Sequence, residues 1–255
     1  MKHLIKYEFK KNLLGLIIWG ALVTGLVVLV CSILYPVLKD EITKMTGVPM
    51  ISAYGTPEGW FSGEVYGSVS LLGLLYAALL GGGILATNFK DGSAASIYAL
   101  PLSRSQIALS KWFIVKINIF LFNVVVFIFS LISLIFLPVS VGALAVYYLI
   151  NTLLMTFIAG IMFSLCLISK KFHSVGACIG IAFLLYIVSA ILAMIAGVLD
   201  AEFLNALTPF GILDINYLFT NLGKTFNLIA ALIWLVIGVA LFIIGLKKYK
   251  EKDIV

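Results

Sequence analysis

The sequence predicts an all-α membrane protein with six transmembrane helices, and three observations carry that prediction. Of its 255 residues, 63% are hydrophobic and only 11% are charged, with mean hydropathy +1.18. A soluble domain carries about 25% charged residues because a water-facing surface needs them. Six apolar runs, each near the ~20 residues that cross a bilayer, then take up most of the chain as a single domain over 1–255. Finally, the charges divide unevenly between the segments that join these runs.

Residues 1–12 precede the first run. Lys2, Lys6 and Lys10 recur on one helical face, while Ile5, Phe9 and Leu13 share another. This is the pattern of an amphipathic interfacial helix lying on the membrane surface. The apolar run at 13–34 is longer than the about 7–15 residues of a signal peptide's core. Val30, not a small residue, precedes Cys31, which argues against lipoprotein-type cleavage. The run reads as a retained first span. The stretch 38–64 is polar and holds two prolines, so it is expected as an external loop or short surface helix. The later spans fall at about 65–89, 113–137, 144–168, 175–199 and 226–246, each ending at a charge, proline or glycine cluster.

Six spans put both ends of the chain on one side. That side, with the loops at 90–112 and 169–174, holds 14 of the 17 Lys and Arg residues, Lys116 included. The other side holds Lys39, Lys44 and Lys224, together with seven of the eleven acids. An excess of Lys and Arg marks the cytoplasmic side, so both termini are expected in the cytoplasm of a cell with a plasma membrane of this kind. Tyr35, Trp60, Trp112, Tyr147 and Tyr249 fall where the interfaces should lie and read as an aromatic belt.

Several chemistries are disfavoured. The net charge of +6 follows from the cytoplasmic bias, with no basic stretch interleaved with aromatics as single-strand binders need, so no nucleic-acid partner is expected. Cys31, Cys166 and Cys178 lie within apolar runs without metal-ligand spacing, and are expected to pack as small apolar residues. No Asp or Glu occupies the middle of a span, which argues against a proton relay or ion-coupled site. Lys116, four residues after Trp112, can snorkel to the surface. His3 and His173 have no carboxylate partner in sequence, so the chain is not expected to be an enzyme or to bind a cofactor or metal. Gly223-Lys224-Thr225 ends like a phosphate-binding loop, but Leu218 stands where the pattern needs glycine. Gly81, Gly82 and Gly83 follow Ala77 and Ala78; such small residues let a neighbouring helix approach. An alternative is that they loosen a helix that must bend.

The segment 88–111, NFKDGSAASIYALPLSRSQIALSK, is the longest loop on the basic side. Asp91, Gly92 and Ser93 offer caps before a short helix at 94–100. Pro101 stops that helix. Ser103 is placed to cap a second helix with Gln106 at its third position, a capping box. The result is a helix–break–helix element carrying Ile97, Tyr98 and Leu100.

This run, K-D-G-S followed by Y-A-L-P-L-S-R-S-Q and then Ser110-Lys111, resembles the segment between the second and third spans of type 2 ABC-exporter permeases. The six-span layout and the N-terminal helix resemble that family as well; Lys90-Asp91 stands where the family usually has Glu. The resemblance implies a cytoplasmic coupling helix between spans 2 and 3. Its contacts to an ATPase would come from Asp91, Gly92, Ser93, Ile97, Tyr98, Leu100, Pro101, Ser103 and Arg104. It also implies a homodimer of this chain with two copies of a separately encoded ABC ATPase, which would bind ATP and Mg. The family's segment before the last span forms short helices dipping toward the membrane, and 200–224 with Pro209 would do so here. The apolar spans favour a hydrophobic or amphipathic cargo such as a peptide, toxin or drug. The alternative is a non-transporting immunity or sensor protein that binds a peptide. A single arginine, Arg104, among the 17 basic residues hints at a bacterial source.

Overall fold

The structure, a computed structural model, describes residues 2–44, 57–61, 67–90, 93–137, 139–169, 175–209 and 225–251. Among them no strand occurs. Six helices are long and apolar enough to span a membrane, so the chain is an all-α, six-span membrane protein.

Helix α1 runs from Lys2 to Leu29 and is followed by a π-helical stretch, Val30–Leu34, and by α2, Tyr35–Lys44. The helix expected at 1–12 is therefore present, but it continues without a break into the first span. Pro36 explains the π turn. Proline has no N–H and its ring crowds the carbonyl four residues back. Widening the preceding turn, so that Tyr35 N–H donates to the Val30 carbonyl, lets the helix pass through. The helix thus extends ten residues past the expected end of the span, into the polar stretch. The short helix α3, Pro57–Trp60, follows, and the rest of 45–66 apart from Phe61 lies outside the described residues.

The second span is α4, Gly67–Lys90, and the short helix α5 covers Ser93–Tyr98. The third span is α6, Arg104–Ser133, and the fourth α7, Val141–Ile168. The fifth, α8, occupies Val175–Leu199, and the sixth, α9, Thr225–Glu251. Asp200 closes α8 with φ 53°, and Ala201 N–H donates to the Ala196 carbonyl at 2.9 Å. That left-handed residue and bond satisfy carbonyls the helix end would leave bare. A 3-10 turn, Glu202–Leu207, leads to Pro209, where the described part of this segment ends.

The chain divides into two compact units. The first comprises Met1–Asn12, Leu74–Ile119 and Leu153–Val255. At its core Ala77 and Ala78 are fully buried, and a Cβ added to Gly81 would stand 2.4 Å from the Ala159 carbonyl oxygen. The close-packing reading of the glycine cluster is the one realised: α4 and α7 meet backbone to backbone. Cys166 and Cys178 are buried thiols, with their sulfurs 3.7 Å apart beside Gly82.

The second unit comprises Leu13–Gly73 and Phe120–Thr152. Here Tyr35, Trp60 and Tyr147, expected in the aromatic belt, pack inside the protein. Tyr35 and Trp60 have ring centroids 5.6 Å apart, and Trp60 donates a long hydrogen bond, 3.4 Å, to the Val30 carbonyl at the π turn. Tyr147 is buried against Phe61 and Tyr148. Helix polar groups also pair inside this unit: Ser130 with the Tyr148 hydroxyl at 2.6 Å, and Asn151 with Asn123 at 2.8 Å. A hydroxyl or amide facing lipid costs free energy unless it is bonded, so polar spans turn these groups inward. In the first unit the exposed faces of the spans are apolar, as Val198 at 80% exposure and Val236 at 65% illustrate.

Candidate functional site

The helix–break–helix element lies wholly in the first unit and begins where α4 ends. Five side chains converge there. Lys111 of α6 donates to Glu8 Oε1 at 2.6 Å and to the Ile84 carbonyl at 2.8 Å. Asn88 of α4 donates to the same Glu8 oxygen at 3.2 Å. Its own carbonyl oxygen accepts from Lys11 Nζ at 2.8 Å and from the Ser93 hydroxyl at 3.3 Å. The Glu8 side chain is fully buried and that of Lys111 is 2% exposed. Burying two charges is costly; Asn88 and the Ile84 carbonyl share the load at Glu8 Oε1 and Lys111, while Glu8 Oε2 is buried without a hydrogen-bond partner among the described residues. The network fixes α1 and α6 to the end of α4, where α5 begins.

Next comes the apolar layer. Ile97 of α5 is buried with Leu4 of α1 and Ile107 of α6, and Tyr98 and Leu102 pack against them. Leu4 and Glu8, one helical turn apart, form the buried stripe of the N-terminal helix. Ile5 and Phe9 flank that stripe half-buried, while Leu13 is exposed. The expected Ile5–Phe9–Leu13 face is therefore rotated: the buried stripe carries a carboxylate, not only apolar groups.

The break itself follows the sequence closely. The Leu100 N–H donates to the Ile97 carbonyl at 3.3 Å, and the Leu102 N–H reaches over Pro101 to the Leu100 carbonyl at 2.7 Å. Ser103 then caps α6: Gln106 N–H donates to the Ser103 hydroxyl at 3.3 Å, and Ser103 N–H donates to the Gln106 side-chain oxygen at 2.8 Å. This is the expected capping box.

Two bonds fasten the element to the C-terminal end of α9. The hydroxyls of Tyr98 and Tyr249 are hydrogen-bonded, and the Arg104 guanidinium donates to the Lys250 carbonyl at 3.0 Å. Cations near a helix C-terminus meet its bare carbonyls favourably. Burial pushes the Tyr98 phenol above its ordinary pKa, while the Tyr249 hydrogen bond and the Arg104 charge pull the other way.

The nine residues singled out in the sequence thus divide three ways. Ile97, Tyr98, Ser93 and Arg104 face other parts of this chain. Leu100, Pro101 and Ser103 are exposed, Leu100 at 40%. Asp91 and Gly92 lie outside the described residues. Asn88 and Lys111 lie at the ends of the singled-out segment 88–111 and Tyr249 in the expected aromatic belt, but nothing in the sequence paired them with Glu8 or Tyr98. The signal available was Glu8, an acid among the basic residues of the N-terminal helix, one turn from Leu4.

No protein-family model matches the chain, and comparison with curated proteins gives no match. Among the described residues no group of three His, Cys, Asp or Glu is placed to hold a metal ion.

Proposed function

We propose that this chain is the membrane-spanning subunit of an ATP-driven exporter, working as a homodimer with two copies of a separate ABC ATPase. The expected setting is a bacterial plasma membrane, with the α5 element and both chain ends in the cytoplasm. What supports the reading is one observation: α5 and its Pro101 turn are held at three points, by α1, the start of α6 and the end of α9. A push on such an element moves those three helices together, whereas a floppy loop would absorb it. Its outer surface, Leu100 and Pro101, is exposed and apolar, as a surface that docks on another protein requires. The cargo expected from the apolar spans is hydrophobic or amphipathic, such as a peptide, toxin or drug.

The test is purification of the tagged full-length protein from its native membranes in mild detergent. The expected result is a co-purifying protein that carries nucleotide-binding motifs and hydrolyses ATP. Leu100→Asp should lower its recovery, while Leu14→Ala, on the lipid-facing side of α1, should not. Recovery of the chain without any ATPase would overturn the exporter reading. Capture of a peptide alone would favour an immunity or sensor protein instead.

A further inference from the structure

The first unit contains an apolar groove of about 480 Å³ lined by α6, α7 and α9, a volume typical of a ligand site. At one end the Trp112 ring sits 5.7 Å from that of Phe242; toward the other, Phe157 meets Trp234 at 6.2 Å. Two glycines make room for these rings. A Cβ on Gly160 would stand 3.2 Å from Trp112, and one on Gly238 2.8 Å from Phe157. Lys116 is the single charged residue among the described residues that line the groove. It is exposed, and its ammonium lies 5.5 Å from the centre of the Trp112 ring.

Length and polarity together select an occupant. The groove follows α9 from Ala231 to Phe242, a rise of ~16 Å at about 1.5 Å per residue. That is close to half of the ~30 Å hydrocarbon thickness, the depth of one leaflet. The cation sits at the Phe242 end, which leads toward Lys247 and Lys248 of the same helix. A molecule matching this slot has an anionic head and an apolar tail one leaflet long.

We propose that this groove holds an acyl chain of an anionic phospholipid, with the lipid phosphate on Lys116 and the chain lying between Trp112 and Trp234. The cation lies over an indole face at the end of the groove nearest the basic end of α9, and the rings supply a wall against which a flexible chain can lie. The site stands apart from the exporter reading, since it needs neither an ATPase nor a cargo.

The experiment uses the full-length protein in phosphatidylcholine vesicles and reads tryptophan emission. Increasing fractions of phosphatidylglycerol brominated along its chains are introduced, and identically brominated phosphatidylcholine in parallel. The anionic lipid should quench at about fivefold lower mole fraction, the preference expected for one basic residue near the headgroups. Lys116→Gln should bring the two curves together, and Lys116→Arg should keep them apart. Replacing Trp112 and Trp234 by Phe should remove the preference from the signal. Equal quenching by the two lipids in the unaltered protein overturns the proposal, as does a preference that survives Lys116→Gln. Should a second copy of the chain cover the groove, neither lipid will quench Trp112 and Trp234, and the proposal again fails.

Discussion

Lys111 and Glu8, 103 positions apart in the chain, form a buried ion pair at 2.6 Å that joins the third span to the N-terminal helix. Removing one partner leaves the other charge buried, which costs about 3–5 kcal/mol, whereas replacing both with apolar residues of similar volume is often close to neutral. Glu8→Leu and Lys111→Met alone should therefore each lower the melting temperature in detergent sharply. The double variant should recover most of the loss. A double variant as unstable as the sum of the singles would mean the two side chains do not act as a pair.

The six spans were legible because composition and charge bias leave few other ways to place these residues. The capping box was legible too, since Ser103 and Gln106 act over three residues and need no distant partner. The glycine cluster was readable as close packing, although its partner, Ala159, was not. What the sequence hid were relations between distant segments. Glu8 looked like one more polar residue on a basic helix until Lys111 and Asn88 were brought to it. Tyr35, Trp60, Tyr147 and Tyr249 have the amphipathic rings of an interfacial belt, yet pair with other rings or hydroxyls inside the protein. Periodicity does not reveal which face of a helix meets protein and which meets lipid when both are apolar. For the same reason the α1 stripe was placed on Ile5 and Phe9 when Leu4 and Glu8 are the buried pair.

Gly81 offers a sharper test of packing than any large side chain. Its added Cβ would lie 2.4 Å from the Ala159 oxygen and 2.8 Å from its Cα, both backbone atoms that cannot rotate away. Gly81→Ala should force α4 and α7 apart and cost about 1–3 kcal/mol. Gly25 of α1 and Gly180 of α8 have nothing within 4 Å of an added Cβ. Alanine at either position should be neutral or stabilise by up to ~1 kcal/mol, the helix-propensity difference. Thermal unfolding of the three variants in one detergent decides the matter. Equal effects at all three positions would refute the close contact.

The Tyr98 phenol gives the α5 element a pH dependence. Burial raises its pKa in the folded protein, so folding favours the protonated phenol. The resulting stability is fully present below the unfolded tyrosine value of about 10. It is lost as pH rises through the folded value. Tyr98→Phe should remove the bond to Tyr249 and cost about 1 kcal/mol at neutral pH. Above about pH 10 the difference between the native protein and the variant should shrink. Proteolysis within 93–104, measured across this range for both proteins, reads the effect directly. No difference between the two proteins at neutral pH would assign the fastening to Arg104 and Lys250 alone, and a difference that stays constant with pH would refute titration of the phenol in this range.

Asn123 and Asn151 test whether polar groups inside the spans hold the second unit together. Their side chains meet at 2.8 Å between α6 and α7, and both are buried. With lipid on one side of each helix, the hydrophobic effect contributes little to helix association, and interhelical hydrogen bonds and packing carry more of it. Even so, such bonds average about 0.6 kcal/mol in membrane proteins and reach about 1.7 kcal/mol, because unfolded helices in the bilayer find other partners. Asn123→Leu and Asn151→Leu should each destabilise, since each leaves the remaining amide in an apolar setting. The coupling energy from the full double-mutant cycle should fall between about 0.5 and 2 kcal/mol. Unfolding in mixed micelles supplies the four stabilities required. A coupling indistinguishable from zero would mean the pair sits together without contributing, and that apolar packing within the second unit carries helix association there instead.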